Sequence, residues 1–256
     1  MARGYGRQET RRHGVIRTLL GTNLSVFQDR KQSFNLDSLL LASFALIPAK
    51  AKTVIDLGTG TGSVMLSLSE RTQARIIGVE IQERLARRAQ RNIDLNGLGH
   101  RLSVIHGDLK DLTIDRACCI VSNPPYFPVT DEARVNESDE RAIARHELKL
   151  TLKELANSAA RLLKTGGYLY LIHRPDRLFE IARELREVRL EVKRLRFVHP
   201  YADRRPNHVL IRAVKDGEMG LTVEPPLILY RVQNVYSDEL KAIYRREGHA
   251  TQSARP

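Results

Sequence analysis

Three carboxylates recur at one kind of place in this chain, at the end of an apolar run: Asp56 in TVIDLGTGTG, Glu80 in ARIIGVE and Asp108 in RLSVIHGDL. Each run reads as a buried strand. The first passes into Gly58-Thr59-Gly60-Thr61-Gly62, whose alternating glycines let backbone approach a ligand closely and turn into a helix N-terminus. A dinucleotide-binding loop would place its third glycine or alanine where this chain has Ser63. An acid ahead of the loop, Asp56, repels a pyrophosphate and suits a ligand carrying positive charge. Glu80, about 20 residues further on, can accept hydrogen bonds from both hydroxyls of a ribose; a charge placed favourably at a helix N-terminus is the plainer alternative. Asp108 can accept from an adenine amino group, with Leu109 or Ile81 against the ring, or merely cap a turn. In series the three acids trace one elongated ligand with a cationic amino-acid end, a ribose and an adenine. That description is S-adenosylmethionine, with a purely structural turn at the glycines as the alternative.

The elements that hold these side chains follow from periodicity and punctuation. Residues 15–27 alternate loosely, as a short hairpin would. FNLDSLLLASFALIP reads as a helix with Asn35 or Asp37 near its start and Pro48 at its end. Asp37 either touches the cofactor or caps that helix. Residues 63–71 are helical, and ERLARRAQRNIDLNG is a helix closed by Gly97. RACCIVSNPPY is a fourth strand, and polar, irregular residues 127–146 come next. A helix is expected over 147–164, ending at Gly166-Gly167, before the strand YLYLIH. A further helix covers 175–188 and starts at a proline. LEVKRLRFVHP and NHVLIRAVK are two more strands with no helix between them. A short strand near 227–230 and a helix over 237–246 close the chain. This alternation predicts an α/β doubly wound, mostly parallel, seven-stranded sheet with one antiparallel strand. Ligands of such sheets lie beyond the carboxyl ends of the strands. Residues 1–34 read as a basic arm with a short hairpin. Residues 35–256 read as a single domain with a short strand–helix extension.

Bulk composition narrows the partners. The 256 residues are 42% hydrophobic and 28% charged, ordinary for a globular protein. No apolar stretch approaches the ~18 residues that span a bilayer. MARGYGRQETRRHG is basic, but no apolar segment follows it as in a secretory signal. Cys118 and Cys119 are adjacent within an apolar run and serve as core hydrophobes, so a cytoplasmic location is expected. His106, His146, His173, His199 and His208 lack ligand spacing, and no metal site is expected. A monomer is the expected state. The net charge of +12 points to a polyanion. Arg3, Arg7, Arg11, Arg12 and Arg17 crowd the start, and Arg194, Arg196, Arg204, Arg205 and Arg212 crowd a later stretch. Such clustering favours nucleic acid over a uniform effect on solubility.

Beyond this reading of the residues, the motifs carry a resemblance. VIDLGTGTG, GVE and HGDL resemble the cofactor motifs of class I S-adenosylmethionine-dependent methyltransferases, which have a Rossmann-like fold. NPPY, at residues 123–126, resembles the signature of the branch that methylates exocyclic amines of bases or glutamine amides. FNLDSLLLASFALI and DELKAIY are similar to the two ends of bacterial tRNA1(Val) adenine N6-methyltransferases. The resemblance spans most of the chain beyond the arm. It implies tRNA as substrate and methylation of the adenine next to the anticodon of a valine tRNA; composition and spacing do not indicate that target.

Amine methylation explains the composition of SNPPYF. The lone pair of an adenine amino group is delocalised into its ring, and the group is too weakly acidic for a base to help. Two acceptors that hold both N–H bonds while the nitrogen gains positive charge would lower the barrier. The Asn123 side-chain carbonyl and the Pro124 backbone carbonyl are the candidates. Pro124 and Pro125 stiffen the backbone presenting them. Tyr126 can stack on the extruded base, and Phe127 can line the same pocket. Asn123 is thereby expected at both the catalytic and the cofactor site. HPYADRRPN mixes Tyr201 with Arg204 and Arg205, as a loop meeting RNA would, although a solvated connection explains it equally. Other amines (release-factor glutamine, guanine N2, DNA adenine) remain possible, as does a non-catalytic RNA-binding protein. Only about fifty residues precede the glycine loop, against the separate helical domain of release-factor enzymes. Asp56, Glu80, Asp108 and Asn123 together argue against a mere binder, which needs none of them.

Overall fold

The computed structural model describes residues 14–29, 36–124 and 150–245. The expected hairpin is present as β1 (Gly14–Thr18) and β2 (Ser25–Asp29), paired antiparallel. Then come α1 (Leu36–Phe44), β3 (Thr53–Leu57), α2 (Ser63–Ser69), β4 (Arg75–Glu80), α3 (Glu83–Leu95), β5 (Leu102–His106) and β6 (Ala117–Ser122). After the segment 125–149, the chain continues with α4 (Leu152–Leu162), β7 (Leu163–His173), α5 (Leu178–Glu187), β8 (Leu190–His199) and β9 (His208–Lys215). It closes with β10 (Thr222–Val223), β11 (Leu227–Ile228), β12 (Tyr230–Val232), β13 (Val235–Tyr236) and α6 (Asp238–Arg245).

Seven strands form the expected sheet in the order β8-β9-β7-β6-β3-β4-β5, and β9 alone runs antiparallel to its neighbours. Two-residue strands β10 and β11 both add to β8, which raises the count from the expected seven to nine. Strand β11 lies where the short strand near 227–230 is expected, whereas β10 is too short for alternation to be read from sequence. Helices cover both faces. One face packs Leu40, Leu66, Ile93 and Leu240 of α1, α2, α3 and α6, and the other packs Leu155, Leu162, Ile181 and Leu185 of α4 and α5. Full burial of one such side chain contributes about 1.5–3 kcal/mol.

Local signals account for most boundaries. Gly97, at φ +65°, closes α3: its N–H donates to the Asp94 carbonyl at 3.0 Å and that of Leu98 to Ile93 at 3.1 Å. This pair of bonds satisfies carbonyls the helix leaves open. Thr151 and Glu154 form a reciprocal capping box at the start of α4. Two expectations need correction. The α4 helix stops at Leu162, because buried Leu163 pairs with Ala117 and starts β7; Gly166 and Gly167 lie inside that strand. A Cβ on Gly167 would lie 2.8 Å from the Lys164 carbonyl oxygen, so the irregular turn there needs glycine. The Pro175 segment begins as a 3-10 turn, Pro175–Arg177, before α5.

The hairpin is held by side chains of α3. Asn96 accepts from the Ser25 N–H at 2.8 Å and donates to its carbonyl at 2.7 Å. Asn92, fully buried, accepts from the Phe27 N–H at 2.7 Å and donates to the Thr61 carbonyl at 3.0 Å. One amide therefore links the hairpin to the glycine loop.

Candidate active site at the strand ends

The glycine loop is organised by hydrogen bonds to β4. The N–H groups of Gly58 and Thr59 both donate to the Val79 carbonyl, at 2.9 and 3.0 Å. Gly58, Gly60 and Gly62 have φ of +71°, +58° and +85°, a region that costs other residues about 1–2 kcal/mol. Their roles differ. A Cβ on Gly62 would lie 3.4 Å from that of Ala89, so this glycine lets α3 pack on the loop. A Cβ on Gly60 would meet nothing within 4 Å, and the crest of the loop is open.

Asp56 and Glu80 flank this loop from buried positions. Asp56 is fully buried, with the Thr59 hydroxyl donating to Oδ2 at 2.6 Å and no hydrogen bond to Oδ1. Burial pushes its pKa up to about 7; the Thr59 hydroxyl opposes the rise, the Glu80 charge adds to it and the Met65 amide opposes it. A cation placed here would favour the ionised form and reverse that shift. Glu80 is 5% exposed. Its Oε2 accepts from the Gly60 N–H at 2.8 Å and its Oε1 from the Gln82 N–H at 2.9 Å. Each carboxylate oxygen has a second acceptor position, so two hydroxyl donors can still be accommodated. The bond to Gln82, which precedes α3, realises the helix-terminus alternative at the same time.

Asp108 follows β5. Its Oδ1 accepts from the Lys110 N–H at 2.9 Å, and Oδ2 is 3.3 Å from Lys110 Nζ, which also lies 3.4 Å from Glu154. Leu109 is buried with Leu112 in the core, whereas the Ile81 side chain at the end of β4 is 46% exposed. Asp37 lies in the first turn of α1, buried, with Oδ1 3.4 Å from Nε2 of His208 at the start of β9.

Asn123 and Pro124 immediately follow β6, whose neighbour is β3. Ser122, fully buried, donates its hydroxyl to the Leu57 carbonyl at 2.7 Å. That bond ties the residue before Asn123 to the residue before Gly58. Pro125, Tyr126, Phe127 and the arginines at positions 3–12 lie outside the described residues. Arg204 and Arg205 are exposed in the turn between β8 and β9. The rest of that arginine cluster is engaged elsewhere. Arg194 pairs with Glu224, Arg196 with Glu239, and the Arg212 guanidinium lies 5.6 Å from the Tyr168 ring centroid. The five arginines that crowd this stretch of sequence therefore do not share one environment, because Arg194 and Arg196 turn to acids of later segments.

Three residues that position the site escaped the sequence reading. A Cβ on Gly78 would lie 2.8 Å from Thr59 Cγ2 and 2.9 Å from Met65 Sδ, so β4 needs a glycine where the loop presses on it. An isolated glycine within an apolar strand run signals such close approach. Ser122, a polar residue at the buried end of a strand, offered a weaker signal. Asn92 offered none.

A buried carboxylate, an open glycine crest and a second carboxylate with spare acceptor positions fit a cationic, hydroxyl-bearing ligand such as S-adenosylmethionine. Comparison with known proteins agrees. A family model described as "Methyltransferase domain" matches residues 48–209. The tRNA1(Val) (adenine(37)-N6)-methyltransferase of Tolumonas auensis is 32% identical over 217 residues, covering 81% of this chain and 86% of the relative. That of Phocaeicola vulgatus is 31% identical over 221 residues, covering 86% and 92%. Among solved structures, a protein of Agrobacterium tumefaciens described as a predicted O-methyltransferase superposes with a TM-score of 0.67 at 21% identity, covering 82% of this chain and 96% of that one. That likeness speaks for the fold alone. The chain belongs to the methyltransferase-domain proteins and, among them, to the family of tRNA1(Val) (adenine(37)-N6)-methyltransferases.

Proposed function

We propose that this protein methylates the N6 amino group of an adenine in the anticodon loop of a valine tRNA, with S-adenosylmethionine as donor. The observation that carries the reading is the Ser122–Leu57 bond, which sets Asn123 and Pro124 of the NPPY segment beside the glycine loop. When bound, S-adenosylmethionine supplies an electrophilic methyl group on a sulfonium. The rest of the work falls to the chain. Asp56 offers negative charge to the cationic end of the cofactor, and the glycine crest gives it room. Glu80 accepts from ribose hydroxyls while fixing Gly60. Asp108, Leu109 and Ile81 flank the adenine, and Asp37, at the start of α1, makes a further cofactor contact.

Asn123 and Pro124 accept the two N–H bonds of the target amine, holding its lone pair toward the methyl group. Acceptors aimed at a nitrogen that becomes positive stabilise the transition state more than the ground state. Pro125 stiffens this segment, while Tyr126 and Phe127 hold the extruded base. Arg204 and Arg205 meet phosphates. In this reading residues 1–34 are an RNA-facing arm, residues 35–256 are the catalytic domain, and the protein acts as a cytoplasmic monomer. Among the described residues no helix is long and apolar enough to cross a membrane, and no three metal-ligating side chains converge.

Incubation with labelled cofactor and total tRNA lacking this modification, followed by nucleoside mass spectrometry, tests the proposal. The expected product is N6-methyladenosine in valine tRNA. Label found only on protein glutamine, or in no nucleoside, refutes it.

A further inference from the structure

Four tyrosines far apart in the sequence meet at one rim of the sheet. Tyr201 lies in the turn between β8 and β9, Tyr230 in β12, Tyr236 in β13 and Tyr244 in α6. Their rings form a continuous ladder with centroid spacings of 5.5, 5.3 and 5.4 Å and interplanar angles of 34°, 37° and 23°. Backbone bonds hold it in place: Leu229 donates to the His199 carbonyl and Tyr230 to that of Pro200, both at 2.9 Å. β8 runs parallel to β7, β6 and β3, since each of β7 and β8 pairs antiparallel with β9. The carboxyl end of β8, where the ladder starts, therefore lies on the same rim as the glycine loop and Asn123.

A ladder that served only to pin down the C-terminal extension would need neither exposure nor cations at its end. This one has both. Tyr236 is 40% exposed, and Tyr201 is partly exposed and, among the described residues, meets the ring of Tyr230. The turn carrying Tyr201 also exposes Arg204 and Arg205. Arg204 is 4.0 Å from Asp203, with side chains 71% and 80% exposed, a pair of little strength. Arg205 enters no ion pair among the described residues. At the other end the cations are engaged, Arg231 and Lys241 both by Asp238. Free positive charge is thus concentrated at the Tyr201 end.

A guanidinium beside the open face of a rigid aromatic stack is the combination that grips single-stranded nucleic acid, the cation tracking phosphate and the ring meeting a base. Adjacent rings pack against one another and leave no gap for a base between them. The partly exposed ring of Tyr201 is the place for one. We propose that Tyr201, backed by the ladder and sharing its turn with Arg204 and Arg205, receives an unpaired base of the RNA substrate other than the target adenine. This rests on the tRNA reading above and adds to it a second, non-reacting nucleotide that the enzyme must hold.

The test uses the full chain with three probes: an unmodified valine tRNA transcript, its isolated anticodon stem-loop, and a fully paired RNA duplex of equal length. Tyr201→Leu removes the aromatic face while keeping bulk, and Tyr201→Phe keeps the face; thermal unfolding checks that both fold as wild type. Expected is about tenfold weaker binding of tRNA and stem-loop by Tyr201→Leu. KM for tRNA should rise in parallel, with kcat and cofactor affinity unchanged and Tyr201→Phe close to wild type. Duplex binding should not respond to either change. Unchanged tRNA affinity in Tyr201→Leu, while wild type binds and methylates tRNA, overturns this inference alone. Equal losses on the duplex also overturn it, by reducing Tyr201 to a support for the arginines. A wild-type protein that neither binds nor methylates tRNA overturns the functional reading and this inference together.

Discussion

At the ends of β3 and β4 two carboxylates lie buried and hydrogen-bonded to the glycine loop, whereas at the end of β8 two guanidinium groups stand in water in a turn that carries one end of an aromatic ladder. Both places lie on one rim of one sheet. Burial separates them. Under the glycine loop low dielectric makes a charge expensive, so Asp56 holds its proton up to about pH 7 and favours a small cationic ligand that can compensate it. At the exposed turn water and salt screen each arginine, and several together are needed to attract a polyanion. The difference teaches that net charge says little about any one site: a chain of net +12 buries two acids against its glycine loop.

The sharpest way to break this contrast is to remove the group between the two regions. Asn123→Ala should lower methyl transfer by about 10²–10³-fold, as loss of one transition-state hydrogen-bond partner does elsewhere. Cofactor affinity by calorimetry should change little. Single-turnover transfer at the wild-type rate would falsify the acceptor role.

Crowding the buried region comes next. Gly78→Ala forces a methyl against Thr59 and Met65 and should cost about 1–3 kcal/mol in urea unfolding. Cofactor affinity should fall too, because Thr59 belongs to the loop. Wild-type stability would mean that the loop relaxes freely.

A titration sharpens the electrostatic side. Because the folded pKa of Asp56 is raised, its contribution to stability in the absence of ligand is present below the ordinary carboxylate range and lost as pH climbs through about 7. A cation prefers the ionised form, so cofactor affinity should rise through the same window, by at most about tenfold per pH unit. Calorimetry on wild type and Asp56→Asn should give a sloping and a flat profile. Two parallel profiles would remove Asp56 from the cofactor site.

The smallest effect belongs to the exposed region. Arg204→Ala with Arg205→Ala should flatten the dependence of log Kd for tRNA on log salt by about 1–2. Cofactor binding should not respond. An identical slope would leave these arginines as a solvated connection.

How much of this was legible in advance varies with the range of the interactions involved. Alternating glycines after an apolar run state their backbone need directly, and the close of α3 at Gly97 rests on local bonds, from Gly97 three positions back and from Leu98 five positions back. The α4 boundary was misplaced because Leu163 leaves its helix to pair with Ala117, a partner that no local rule names. The arginines of 194–212 looked alike in sequence, yet Arg194 and Arg196 turn to Glu224 and Glu239 while Arg204 and Arg205 face water.

The sequence by itself determined the strand–helix alternation, the loop at Gly58–Gly62 and the acids that follow the strands, because propensity, periodicity and turn chemistry act over a few residues. Only the tertiary structure decided that Ser122 reaches Leu57, that Gly78 makes room for Thr59 and Met65, and that Tyr201, Tyr230, Tyr236 and Tyr244 stack. Those contacts join residues separated by many positions, and their energies depend on how whole elements pack rather than on the spacing of any motif.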